Sequence, residues 1–167
     1  MQYQKYKERL GKNAPKSLAE FVDIKYNRAE RWDFYKSLYR FTNHIRSDKQ
    51  SKQVLVGRQN KHILGTNEYM QEVKKYKELG QFGPSIVNLS IGDIQKLGNK
   101  YAGTGNVVEK NNKITNTERI VLDTDEFGIL VNNLTGDKIK TNVFKIHYAT
   151  KGVHIVTDYL QSKDGEI

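Results

Sequence analysis

The feature that most constrains this chain is a change of period near residue 105. Before it, apolar side chains recur every three or four residues; after it, short runs rich in Val, Ile, Phe and Tyr alternate with turn residues. Helices followed by an antiparallel meander predict an α+β domain, with helices packed on a sheet.

The helical part begins with Ser17-Leu18-Ala19-Glu20, a capping box in which serine and glutamate satisfy free backbone N–H groups, and this helix is expected to reach about Tyr26. A second stretch places Trp32, Tyr35, Leu38, Tyr39, Thr42 and Ile45 on one stripe, with Arg31, Lys36, Arg40 and Arg46 between them. Interleaved aromatics and arginines can stack on nucleic acid. The spacing alone already accounts for burial, which favours a packed helical hairpin over residues 1–50. Residues 47–60 are polar and predict a loop or linker, so the main domain is expected over residues 51–167. Two further helices are expected, Asn67 to Leu79 capped by Asn67 with Tyr69, Met70, Val73 and Tyr76 on its stripe, and Ser90 to Lys100 with Asp93 near its start. Strands are expected at 119–123, 127–132, 143–148 and 153–159, with hairpin loops at 133–137 and 149–152, each using a glycine for positive φ.

The chain has no cysteine, which removes disulfides, thiol nucleophiles and thiolate metal sites, and leaves chemistry to oxygen and nitrogen groups. It lacks the roughly 18 consecutive apolar residues that a membrane helix needs, and its charged start, MQYQKYKERLGK, has no apolar core like that of a signal peptide. The formal net charge is +9, unevenly placed: residues 1–50 hold 12 Lys and Arg against 6 Asp and Glu, whereas residues 51–167 hold 16 against 13. Such a balance favours a polyanionic partner through phosphate neutralisation.

Three of the four histidines follow the helical arm. His62 sits in a polar loop that enters a helix, which suits an acid, a base or a phosphate contact, although an ordinary exposed histidine would look the same. His147 and His154 lie on two strands joined by a tight turn; alternation groups Lys145 with His147 and His154 with Val156, and whether the two imidazoles share a face depends on the register. If they share it, one can act as general base on a ribose 2′-OH and the other as general acid on the leaving 5′-oxygen, with Lys61, Lys151 or Arg119 offsetting the transition-state charge. No HExxH or HxH spacing supports a metal set, and no cofactor motif is present.

Three blocks, Lys61-His62-Ile63-Leu64-Gly65-Thr66-Asn67, Lys100-Tyr101-Ala102-Gly103-Thr104-Gly105, and Ile146-His147-Tyr148 with Thr150-Lys151-Gly152-Val153-His154-Ile155-Val156, together resemble the polymorphic toxin type 50 family over roughly residues 54–158. That family is grouped with the BECR-fold nucleases, which include barnase, EndoU and the colicin and RelE nucleases; similar domains occur at the ends of phage head-morphogenesis and minor structural proteins. Leu64 and Thr157 stand where relatives often carry proline. The resemblance implies helices packed on an antiparallel sheet and a metal-independent ribonuclease that leaves 2′,3′-cyclic phosphate. It implies a catalytic set of His62, His147, His154, Lys151, Thr150 and Tyr148, and substrate contacts from Lys61, Arg58, Thr66, Arg119 and Thr141. The partners it implies are nucleic acid, RNA more than DNA, with an immunity protein or a phage structural protein, in the bacterial cytoplasm or the virion and away from membranes. A non-catalytic, nucleic-acid-binding virion protein is the alternative.

Overall fold

A computed structural model describes residues 1–123 and 127–159; the end of the expected main domain, residues 160–167, lies outside them. The architecture is α+β, as the change of period predicts. Three helices, α1 (Gln2–Leu10), α2 (Leu18–Asn27) and α3 (Ala29–Ile45), form the arm. The short α4 (Val56–Gln59), α5 (Asn67–Glu78), the two-residue strand β1 (Ile86–Val87) and α6 (Ile91–Tyr101) follow. The remaining strands are β2 (Asn106–Lys110), β3 (Lys113–Val121), β4 (Gly128–Val131), β5 (Lys138–Thr141), β6 (Val143–Ala149) and β7 (Gly152–Thr157). Instead of one meander they make two antiparallel sheets, ordered β2-β3-β6-β7 and β1-β4-β5.

The arm holds one helix more than its sequence announces. Tyr6 and Leu10 of α1 are buried with Phe21, Ile24, Phe34, Tyr35 and Leu38, and this cluster packs onto Val107 and Ile114 of the β2–β3 ribbon. The aromatics are therefore core. Tyr6 sits in face contact with Trp32 at 5.4 Å and tilted against Tyr39 at 4.7 Å. Ser17 caps α2 by accepting from the Glu20 N–H at 3.1 Å, while the Glu20 carboxylate accepts from the Lys16 N–H at 2.6 Å, one residue earlier than the reciprocal bond of a capping box.

The polar stretch expected to be a linker is ordered. Its Gln50, Val54 and Gln59 are buried, and residues 53–55 run parallel to β7, with Leu55 N–H donating to Val153 O at 2.8 Å and Val153 N–H to Gln53 O at 2.9 Å. Two residues further along β7, Gln59 takes over as a side chain: its Nε2 donates to Ile155 O at 2.9 Å and its Oε1 accepts from Ile155 N–H at 2.7 Å. A side-chain amide here does the work of a strand. Polarity signalled a loop because it does not distinguish an amide that faces water from one that pairs with backbone.

Three local expectations are corrected. Thr66, not Asn67, caps α5, accepting from the Tyr69 N–H at 3.1 Å. The α5 stripe leaves none of its residues buried, and Met70 remains exposed. Gly152, unlike Gly136 at φ 77°, has no positive φ; it is required because a Cβ there would lie 2.1 Å from Gln53 O, within the parallel pairing just described. By contrast, α6 forms where expected, with Ser90 accepting from the Asp93 N–H at 3.1 Å.

One face of the β2-β3-β6-β7 sheet is apolar: Ile120, Phe144, Ile146, Val153 and Ile155 are buried there against Ile94 and Leu97 of α6. Strand alternation then places the polar partners on the other face.

Candidate active site

The β6–β7 hairpin is in a register that pairs His147 with His154 directly, Lys145 with Val156 and Ala149 with Gly152; β3 adds Thr117 beside His147 and Arg119 beside Lys145. The two imidazoles thus share the face opposite α6 and stack, with ring centroids 4.8 Å apart and planes 17° from parallel. The 3₁₀ turn Asn60–His62 after α4 brings His62 close enough that its charge opposes protonation of both. His147 and His154 are therefore in contact, and His62 lies within electrostatic reach of both.

For His62 and His147, hydrogen bonds fix which nitrogen carries the proton in the neutral ring. His62 Nδ1 lies 2.9 Å from Ser85 O, and a carbonyl only accepts, so Nδ1 carries the proton and Nε2 keeps its lone pair. The Thr117 hydroxyl donates to Thr115 O at 3.1 Å and so accepts from His147 Nδ1–H at 3.4 Å. His154 Nδ1 is buried without a hydrogen-bond partner among the described residues.

Burial is the main cause that holds all three imidazoles below the ordinary histidine pKa. For His62 it outweighs the Ser85 bond and the Glu72 charge, which favour protonation. For His147 the Lys145 and His62 charges add to it, against a contribution from Asp158. His154 is pushed down to about 4, by burial first and then by His147, His62, Arg58 and Lys61. At neutral pH the cluster is a set of uncharged bases beside cations.

Those cations flank the histidines on two sides. Toward the hairpin tip, an open groove is lined by Leu55, Arg58, Lys61, Ala149, Thr150 and Lys151. Lys61 is partly neutralised by Glu72 of α5 at 3.2 Å. Toward the other end, Asp158 pairs with Arg119 Nε at 3.1 Å and Lys145 Nζ at 3.4 Å. Among the described residues, no three His, Asp or Glu side chains converge as a metal ion would need.

The model of the family described as bacterial toxin 50 matches residues 54–157. The chain belongs to that toxin family. The match opens at the Val54 bridge and closes at the last residue of β7, so it holds all three clustered histidines and leaves α1–α3 outside. No curated protein and no solved structure matches the chain.

Within this toxin domain, three of the expected site residues lie elsewhere. Tyr148 is on the sheet face opposite His147; its hydroxyl donates to the buried Glu118 carboxylate, which also accepts from Gly103 N–H at 2.8 Å and Gly105 N–H at 3.2 Å. Burial and that carboxylate raise the Tyr148 phenol well above its usual range, so it holds the Lys100–Gly105 turn against the sheet. Thr66 caps α5 and reaches Asn60 O at 2.6 Å, which fixes the His62 loop from behind. Thr141 is fully buried and donates to Asp158 O at 2.8 Å, which fixes the Asp158 backbone. Sequence reading missed Thr117, Ser85, Glu72, Asp158 and Glu118, which orient or neutralise the groups it found. Only Lys145 carried a signal, its place on the same strand face as His147.

Among the described residues, no helix is long and apolar enough to cross a membrane.

Proposed function

We propose that this toxin domain is a metal-independent endoribonuclease that cleaves by histidine acid–base catalysis. The observation that supports it is the stacked His147–His154 pair with His62 beside it, uncharged and flanked by Arg58, Lys61, Lys145 and Arg119. His154 has the lowest basicity and is the proton acceptor available over the whole physiological range; it takes the proton of a ribose 2′-OH. The 2′-oxygen then attacks phosphorus and the bond to the 5′-oxygen breaks. A protonated His62, its ring held by Ser85 and its charge favoured by Glu72, delivers the proton to that leaving oxygen. The products are a 2′,3′-cyclic phosphate and a free 5′-hydroxyl. A substrate phosphate near the imidazoles favours their charged forms, so the acid becomes competent as RNA arrives.

In this reading residues 51–167 are the catalytic unit, residues 1–50 its scaffold, and the target is RNA in the bacterial cytoplasm, with an immunity protein protecting the producing cell. The test is purified protein with RNA in excess EDTA. Cleavage leaving 2′,3′-cyclic phosphate ends is expected, with loss of cleavage in His62→Ala and His154→Ala. Intact RNA, or variants that cut as the parent does, would overturn the reading.

A further inference from the structure

The two basic flanks lie along one line. On the histidine face of β6, Lys145, His147 and Ala149 follow one another, and the chain then turns at Thr150 and Lys151. A two-residue step along a strand is about 6.7 Å, comparable to the spacing of successive phosphates along a single nucleic-acid strand. Lys145 and its neighbour Arg119 are therefore one step from the imidazoles on one side, and the groove with Arg58, Lys61 and Lys151 is one step away on the other.

Asp158 makes the first flank a built one. Its carboxylate is almost enclosed, with side-chain exposure of 13%, and its backbone is fixed by donation to Val143 O at 2.9 Å and acceptance from Thr141 Oγ1 at 2.8 Å. Held there, it binds both cations at once, while Arg119 Nη2 is also tied to Tyr159 O at 2.9 Å. Among the described residues, one carboxylate stands against two cations, which leaves this set with one positive charge in excess and both side chains held in place for a second anion.

We infer that the histidine cluster is the middle of three phosphate subsites: Arg119 and Lys145, oriented by Asp158, hold the phosphate on one side of the scissile one, and Arg58 with Lys151 hold the phosphate on the other. This rests on the ribonuclease reading and adds to it a substrate class: a single strand with phosphates on both sides of the cut, so attack occurs inside a chain and terminal steps are poor substrates. Asp158 is a positioning residue that acts through the two cations.

The experiment uses the dinucleotide step that the protein cuts in a longer RNA, prepared with the scissile phosphate alone, with one added 5′-phosphate, or with one added 3′-phosphate. Each addition is expected to raise kcat/KM on the order of 10- to 100-fold, the range of a charge-assisted hydrogen bond. Lys145→Met and Arg119→Gln should each abolish the gain from one of the two phosphates and keep the other; Lys151→Met with Arg58→Gln should do the reverse. Asp158→Asn should reduce the same gain as Lys145→Met, which a general loss of stability would not do selectively. The inference falls if neither phosphate adds anything, or if Lys145→Met leaves both gains intact. If no RNA is cut, the ribonuclease reading fails by itself. The subsites are then decided by the affinity of mixed-sequence ribodinucleotides that carry the internal phosphate alone, with one added 5′-phosphate, or with one added 3′-phosphate; the same pattern of gains supports them and equal affinities overturn them.

Discussion

The helical arm and the histidine face of the sheet are both rich in rings and cations, yet they use them in opposite ways. In the arm, four of the cations are tied up in internal bonds. Arg31 lies over the Phe34 ring at 4.2 Å and bonds Glu109 and Asn112; Arg46 gives its Nε to Gly103 O at 2.9 Å and its Nη1 to Arg9 O at 2.7 Å; Arg28 and Lys36 pair with Asp23 and Asp33. On the sheet, the rings are half-buried imidazoles, and among the described residues the cations beside them exceed the acids. Composition thus overstates the arm as a phosphate-binding surface: it holds most of the excess charge, and the sheet holds the part placed around the imidazoles.

The sharpest way to break this contrast is to truncate one side chain in each region. His154→Ala or His62→Ala should lower kcat by about 10²- to 10⁴-fold, the value of one general acid or base, with an unchanged melting curve. Leu38→Ala in the arm core should do the reverse. It is expected to cost about 2–5 kcal/mol in urea unfolding while the folded fraction keeps its kcat; a Leu38→Ala protein that stays fully folded but loses its rate would merge the two regions.

Acid should separate them next. The three imidazoles have folded pKa values below that of the unfolded chain, so the unfolded state binds more protons as pH falls, and stability is lost from pH 6.5 downward. His154, lowered to about 4, accounts by itself for up to ~3 kcal/mol, less after solvent screening. The loss should level off below pH 4, and in His154→Gln the slope between pH 6.5 and 4 should be shallower. The rate should follow the same groups. In the free enzyme both limbs of the kcat/KM profile are expected below pH 6.5, the acidic one set by the proton acceptor near pH 4. A basic limb at 7 or above would contradict the burial that depresses His62 and His147.

The smallest effect should come from the arm's own cations. Arg31→Met removes an exposed ion pair and its ring contact and is expected to cost no more than about 1 kcal/mol. It should leave the salt dependence of RNA binding unchanged, whereas removing a phosphate contact on the sheet should reduce the slope of log K against log salt by about 0.7.

What could be read from the sequence follows from which interactions are local. The Ser17 cap, the start of α6 after Ser90 and the β6–β7 hairpin are local, and they formed where expected. So did the burial of Tyr35 and Leu38, since a helical stripe announces its own apolar face. What escaped was long-range pairing. Gln59 was read as a loop residue because its partner, Ile155, is 96 positions away. Tyr148 was placed in the site through the family resemblance, whereas strand alternation sends it to the face opposite His147, toward a carboxylate 30 positions away. The short β1, β2 and β5 strands carry too few apolar residues to stand out. For the site, the clustered imidazoles could be named, but the residues that bond them and neutralise their neighbours could not, because Thr117, Ser85 and Asp158 become special only through the backbone that surrounds them.

The pairing that Gln59 provides to β7 has a consequence for how this protein behaves in company. A strand with unpaired N–H and C=O groups invites strands from other molecules, and β7 would otherwise offer such an edge beside its own reactive rings. Residues 53–55 and the Gln59 amide close it. The outer strands that stay open carry other deterrents: β5 displays Lys138 and Lys140, and β2 has a register irregularity between Val107 and Glu109. Gln59→Leu would reopen the most apolar of these borders, and sheet-to-sheet aggregation, visible as light scattering that grows with protein concentration, is the expected cost of losing one side-chain amide.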